Sequence, residues 1–209
     1  MQERHPISEP KQARAVATRL KLLDAAVQSL CEVGYSGTTT TQVARRAGVS
    51  QGALYKHFGS KQQLMGETTA HLFNGLVAEF QEAFAAGAGA EDRVARALSE
   101  LWKVFVTPEL YAVLELYMVA RTDKALRRVL IPVMVIHREN ILVEARRLFP
   151  EAASSNPRFE SAIDGVMAGM QGAALNAAVM TGVSGGMEVM DFLVELCRRE
   201  LERFGGIDQ

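Results

Sequence analysis

Cysteine is nearly absent from this chain. Only Cys31 and Cys197 occur, far apart and each among Leu and Val, which argues against a disulfide framework or a cysteine-based metal site and makes a reducing cytoplasm the expected setting. Strand-like alternation of apolar and polar residues is missing throughout, so no sheet is expected. His5, His57, His71 and His137 show no paired metal-ligand spacing. No glycine-rich phosphate loop follows a strand, and no nucleophile carries a local signature. An enzyme is therefore disfavoured, and neither metal nor cofactor is expected. Long apolar runs are also scarce. Gly165 to Met187 lacks charged side chains, but it is rich in Gly and Ala and includes Gln171, Asn176, Thr181 and Ser184. Its transfer into lipid would be poor, so a close-packed helix interface is expected rather than a membrane span. Residues 1–10 hold Glu3, Arg4, His5 and two prolines without an apolar stretch, and read as a disordered tail, not a signal peptide.

What is present is ample core material, 48% hydrophobic residues over 209 positions, and an uneven charge. Residues 1–65 carry nine Lys or Arg against four Asp or Glu, a balance of +5, while the remainder carries −6. A basic small half joined to an acidic larger one suggests that the first meets a polyanion.

Helical spacing dominates. Leu20, Leu23, Val27 and Leu30 predict a helix over about Lys11 to Val33, stopped by Gly34. Thr38 to Thr41 supply caps for a short helix that carries Val43, Ala44 and Ala47 and ends at Gly48. Ser50 caps the next, with Leu54 and Phe58 on its buried face and Gly59 as its stop. Ser60 opens a long helix through Leu72, Leu76, Phe80 and Phe84, broken by the run Ala85 to Ala90. Further starts fall at Glu91-Asp92, Thr107-Pro108-Glu109, Thr122-Asp123 and Asn156-Pro157, with a kink expected at Pro132. After Gly182 to Gly186 a last amphipathic helix follows Met190, Leu193, Val194, Cys197, Leu201 and Phe204. The expectation is an all-α protein of about nine helices, with a helix-turn-helix domain over 11–60 and a larger helical domain over 61–209.

Two short helices around Gly48 form a helix-turn-helix, whose second helix fits a major groove about 12 Å wide. With Leu54 and Phe58 turned inward, Gln51, Gly52, Tyr55 and Lys56 lie on the groove side. Gln51 can read adenine, and Lys56 can reach guanine or a phosphate. Gly52 costs about 1 kcal/mol of helix propensity, which makes sense where backbone presses against DNA. Thr39, Thr40 and Lys61 offer helix-end donors to phosphate, with Tyr55 and His57 adding more.

The run "GYSGTTTTQVARRAGVSQGALYKHFGSKQQLM", Gly34 to Met65, resembles the DNA-binding domain of TetR-type transcriptional regulators almost position by position, and the preceding "LKLLDAAVQSLCEVGY" is similar to that family's first helix. The resemblance covers about residues 14 to 70. It implies DNA contacts at Thr39, Thr40, Ser50, Gln51, Gly52, Ala53, Tyr55, Lys56, His57 and Lys61, with Thr41 standing where a basic residue is common. It also implies a homodimer whose larger domain binds a small-molecule effector and whose partner is an operator in double-stranded DNA.

On the middle helices that usually enclose the pocket in that family lie Trp102, Phe105, Tyr111, Tyr117, Met118, Met134, Met167 and Met170, with Arg121 and His137 as polar candidates. By the family pattern the last two helices pair with their symmetry mates. Gly165, Gly169, Gly172 and Ala173 would let backbones approach, and Met190, Leu193, Val194, Cys197 and Leu201 would form the seam. The resulting expectation is a ligand-responsive repressor. A helical enzyme and a DNA-compacting structural protein stay open as alternatives, although the latter would be basic throughout.

Overall fold

The computed structural model of the protein describes residues 11–86, 92–179 and 186–202. The expected tail at 1–10, most of the Ala85 to Ala90 break, the opening residue Glu91, the Gly182 to Gly185 stretch and Phe204 lie outside the described residues. Ten helices follow one another: α1 Lys11–Gly37, α2 Thr40–Arg46, α3 Gln51–His57, α4 Lys61–Ala86, α5 Arg93–Phe105, α6 Pro108–Ala120, α7 Lys124–Leu148, α8 Pro150–Ser155, α9 Phe159–Val179 and α10 Gly186–Glu202. Among the described residues there is no strand. The helix beyond the expected nine is α8. Phe149 serves at once as the C-cap of α7 and the residue before Pro150, so six residues form a separate turn without a cap signal of their own.

Local chemistry sets most boundaries. Thr39, Ser50, Asp92, Thr107 and Asp123 each accept a backbone N–H of the helix they open, caps worth about 1 kcal/mol apiece. Ser60 does the same for Gln63 N–H at 3.1 Å. Gly34 breaks α1, with φ 66° and ψ −177°, so helical turns resume briefly beyond it as far as Gly37. A Cβ at Gly34 would sit 2.9 Å from both carboxylate oxygens of Glu115, so close approach as well as positive φ selects glycine. Pro132 does not interrupt α7. It lies inside one continuous helix on an exposed position, while Leu126, Leu130 and Leu142 anchor the helix on both sides of it.

Cross-helix pairs define the packing. Val129 lies against Gly66, the rings of Phe73 and His137 stack, and Gln81 donates to Glu144 at 2.9 Å. Thus α4 and α7 run parallel and in step. α9 runs antiparallel to α7 through Arg138–Asp164 at 2.7 Å and Arg146–Glu160 at 2.7 Å, and antiparallel to α10 through Gly169 against Leu193.

Two principal cores result. One joins Leu22, Leu23, Ala26 and Leu30 of α1, Val43 and Ala44 of α2, and Leu54 and Phe58 of the α3 region. It takes in Leu64 and Met65 of α4, Ala112, Leu116 and Ala120 of α6, and Leu126 and Leu130 of α7. The other gathers Leu72, Phe73 and Leu76 of α4 with α5, the start of α6, α7, α9 and α10. Packing therefore does not divide at residue 60, because α4, α6 and α7 each contribute to both cores. No helix among the described residues is long and apolar enough to cross a membrane.

Candidate nucleic-acid interface and effector cavity

The turn between α2 and α3 is built from short-range signals. Gly48 takes φ 68°, and Val49 N–H returns to Ala44 C=O at 3.0 Å. Leu54 and Phe58 are buried, each contributing about 1.5–3 kcal/mol through removal from water. Their burial turns Ser50, Gln51, Gly52, Tyr55 and Lys56 outward, all exposed. Ala53 and His57 are half-buried beside them. A Cβ on Gly52 would meet nothing closer than Ser50 Oγ at 3.9 Å, so nothing within the chain requires glycine there. Thr40 Oγ1 and Tyr55 Oη lie 3.1 Å apart, tying the start of α2 to α3, while Thr39 and Thr41 are exposed alongside.

Lys61 behaves differently from its neighbours. Its ammonium donates to Tyr35 C=O at 2.6 Å and lies 4.0 Å from the centre of the Tyr35 ring. Burial lowers its pKa, opposed by Asp123 and Glu115. Tyr35 is gripped from three sides: its N–H donates to Glu115 of α6 at 2.8 Å, its O–H donates to Asp123 at 3.2 Å, and its carbonyl takes Lys61. Burial, followed by Asp123, raises the Tyr35 pKa. Sequence reasoning missed this junction because its partners lie 80 and 88 residues away. It also missed Arg45, which is exposed and has no ion-pair partner among the described residues, whereas its neighbour Arg46 pairs with Glu32. The available signal was the position of Arg45 on the short helix whose Val43 and Ala44 turn inward.

A cavity of about 100 Å³ lies in the larger core, walled by Phe73, Leu76, Val77 and Phe80 of α4, by α5 from Ala97 to Phe105, by Leu110 of α6, by α7, Phe149 and α9, and by Cys197. Phe105, His137 and Met167 of the sequence candidates line it. The other seven do not. Trp102, Tyr111 and Tyr117 pack against the same core from outside the lining, and Met170 is buried within it. Met118 is 63% exposed, and Met134 and Arg121 are also exposed. Met118 falls in the last turn of α6 and Arg121 is its C-cap, beyond the part of the helix that meets the cavity at Leu110. Burial raises the Tyr117 pKa to about 12 and that of Cys197 to about 11, so neither ionises near neutrality.

Two polar side chains reach the lining from α7. Glu144 is held by Arg147 Nε at 3.0 Å and Gln81 Nε2 at 2.9 Å, and these hydrogen bonds, that of Arg147 first, lower its pKa. His137 stacks on Phe73 at 3.5 Å with parallel rings, and its Nδ1 is buried without a hydrogen-bond partner. Desolvation lowers its pKa to about 4, so the ring is neutral at physiological pH. No group of three or more metal-ligating side chains occurs among the described residues.

The residues expected at the dimer seam divide between the subunit's own core and its surface. Ala173, Leu193, Cys197 and Leu201 are buried inside one chain, and Met190 and Val194 pack against the same core. A Cβ on Gly169 would lie 2.8 Å from the chain's own Leu193. These residues close α9 onto α10 within the subunit. Turned outward instead are Gly165, Gly172, Leu175, Val179, Val189, Phe192 and Leu196, with Val179 82% and Phe192 65% exposed.

Comparison with known proteins meets this geometry from outside. Residues 22–68 match the model of bacterial regulatory proteins of the tetR family. The chain is 31% identical over 143 residues to the HTH-type transcriptional regulator BetI of Rhizobium meliloti, a match covering 68% of this chain and 70% of that protein. Among solved structures, a transcriptional regulator from Rhodococcus sp. Rha1 superposes with TM-score 0.68 at 20% identity, covering 91% of this chain and 99% of that one. The multidrug binding protein EbrR in complex with ethidium gives 0.63 at 20% identity, covering 86% and 98%. The relatives are named regulators, not enzymes. The chain belongs to the TetR family of bacterial transcriptional regulators.

Proposed function

We propose that this regulator is a homodimeric repressor in the cytoplasm that leaves a near-palindromic operator when a small, largely hydrophobic molecule enters the cavity. One observation carries the reading: α4 walls the cavity with Phe73, Leu76, Val77 and Phe80, and about two to four turns earlier supplies Leu64 and Met65 to the helix-turn-helix core. A ligand that spreads the cavity walls moves a helix that is part of both ends. α6 offers a second path, from Leu110 at the cavity to Glu115 on the Tyr35 backbone. The likeness to a multidrug binding protein solved with ethidium supports a small-molecule site, although the lining here lacks a free counter-charge for a cation of that kind.

In this reading residues 11–60 present Thr39, Thr40, Thr41, Ser50, Gln51, Gly52, Ala53, Tyr55, Lys56 and His57 to DNA, with Arg45 as an added phosphate contact. Lys61 then serves chiefly to hold Tyr35. Residues 61–209 bind the effector and dimerise through the outward faces of α9 and α10. Ligand and operator must oppose each other equally. A 100-fold loss of operator affinity requires the ligand to favour the non-binding state by about 2.7 kcal/mol. Operator selection from random duplexes, followed by titration with and without co-purified small molecules identified by mass spectrometry, tests the reading. A ligand that binds free and operator-bound protein with equal affinity would remove the coupling and leave the larger domain as a dimerisation scaffold.

A further inference from the structure

The lining of the cavity is aliphatic and aromatic apart from Glu144, His137 and the sulfur groups of Met167 and Cys197. Glu144 is already occupied by Arg147 and Gln81, so it offers no free charge to a cationic ligand, and no cation in the lining awaits an anionic one. A charged ligand would therefore enter an apolar box without a counter-ion. His137 is in the opposite condition. Its Nδ1 is buried and has no hydrogen-bond partner among the described residues. A neutral imidazole has one N–H donor and one bare nitrogen acceptor, and leaving such groups unpaired away from water is costly.

We propose that the cavity takes a single-ring aromatic hydroxyl compound, a phenol, whose O–H pairs with the His137 imidazole while its ring lies among Phe73, Phe80, Phe105 and Phe149. The proposal rests on reading this cavity as the effector site. A hydroxyl both donates and accepts, so it satisfies the imidazole whichever nitrogen carries the proton. The neutral ring expected from burial suits a neutral partner. The Phe73–His137 stack at 3.5 Å gives a flat wall, and a volume of about 100 Å³ is of the order of a single ring.

The test uses the full-length protein with phenol and toluene as probes of equal size, read by fluorescence of the single tryptophan, Trp102, and by the shift in thermal midpoint. Hydrophobicity alone favours toluene. His137→Phe keeps an aromatic stack and removes both nitrogens, and should weaken phenol about tenfold, equivalent to about 1.4 kcal/mol, while toluene stays within about twofold. In the unmodified protein the ¹⁵N shifts of the His137 ring should move with phenol and not with toluene, a reading that does not depend on the variant folding. Equal loss of both probes in the variant, no phenol-dependent ¹⁵N shift, or no binding of phenol to the unmodified protein would overturn the proposal. Phenol that binds as described yet leaves operator affinity unchanged would preserve the His137 contact and count against the repressor reading instead.

Discussion

At the scale of single residues, the proposed interface divides reading on α3 from gripping on α2. Gln51 carries an amide that can make a bidentate pair with adenine, so Gln51→Ala should cost about 1–3 kcal/mol at the cognate operator and relax preference at one base pair per half-site. Arg45, exposed and without an ion-pair partner among the described residues, should behave as a phosphate contact. Arg45→Ala should weaken all sequences alike and reduce the slope of log K against log salt by about one. Gel-shift titrations at several salt concentrations distinguish the two. In the cavity, His137 has a folded-state pKa of about 4 against about 6.5 unfolded. The unfolded chain binds the extra proton first, so this residue's contribution leaves stability flat above pH 6.5 and lowers it as pH falls from there toward 4. Denaturant melts across pH 4–8 should show that loss in the unmodified protein and a smaller one in His137→Phe. The outward face of α3 was legible in the sequence because caps, glycines and a four-residue apolar spacing are local. Seven of ten cavity candidates were not, because their helices are apolar on more than one face and spacing alone does not say which face closes the cavity.

At the scale of elements, the same limit governs α9 and α10. Their amphipathic pattern was visible, but the seam of Leu193, Cys197 and Leu201 satisfies an intrachain partner as well as it would a symmetry mate. The two roles separate experimentally. Gly169→Leu drives a side chain into Leu193 of the same subunit, and overpacking of this kind costs about 1–3 kcal/mol, which a thermal or denaturant melt will register. Phe192→Asp, on the outward face where Phe192 is 65% exposed, should instead shift the protein toward monomer in sedimentation while the fold of each subunit persists. A dimer undisturbed by Phe192→Asp would move the proposed interface off this face. Between the halves, Glu115 meets the backbone where Gly34 breaks α1. Gly34→Ala would impose a side chain on positive φ and crowd that carboxylate, so it should lower stability and operator affinity together, seen by melting and gel shift on the same preparation.

At the scale of the whole molecule, α4 and α7 run parallel and in step from the helix-turn-helix core past the cavity, so both record any change in cavity width at their shared end. The sequence alone suggested a seam at residue 60, where a capped helix starts. Packing has no seam there. Leu116 and Leu126, far along the chain, close the same core as Leu22 and Phe58. This interleaving bears on transplantation. A fragment ending near residue 70 would leave open to water the faces of α1 and α4 on which α6 and α7 pack, and should show little cooperative melting by circular dichroism. A chimera that joins this reading head to another regulator's effector domain will fold only if it also inherits Ala112 to Leu130 or a surface that copies them. Whatever lineage exchanges operator specificity must then carry the α6–α7 hairpin with the head, as one heritable unit drawn from two distant stretches of chain.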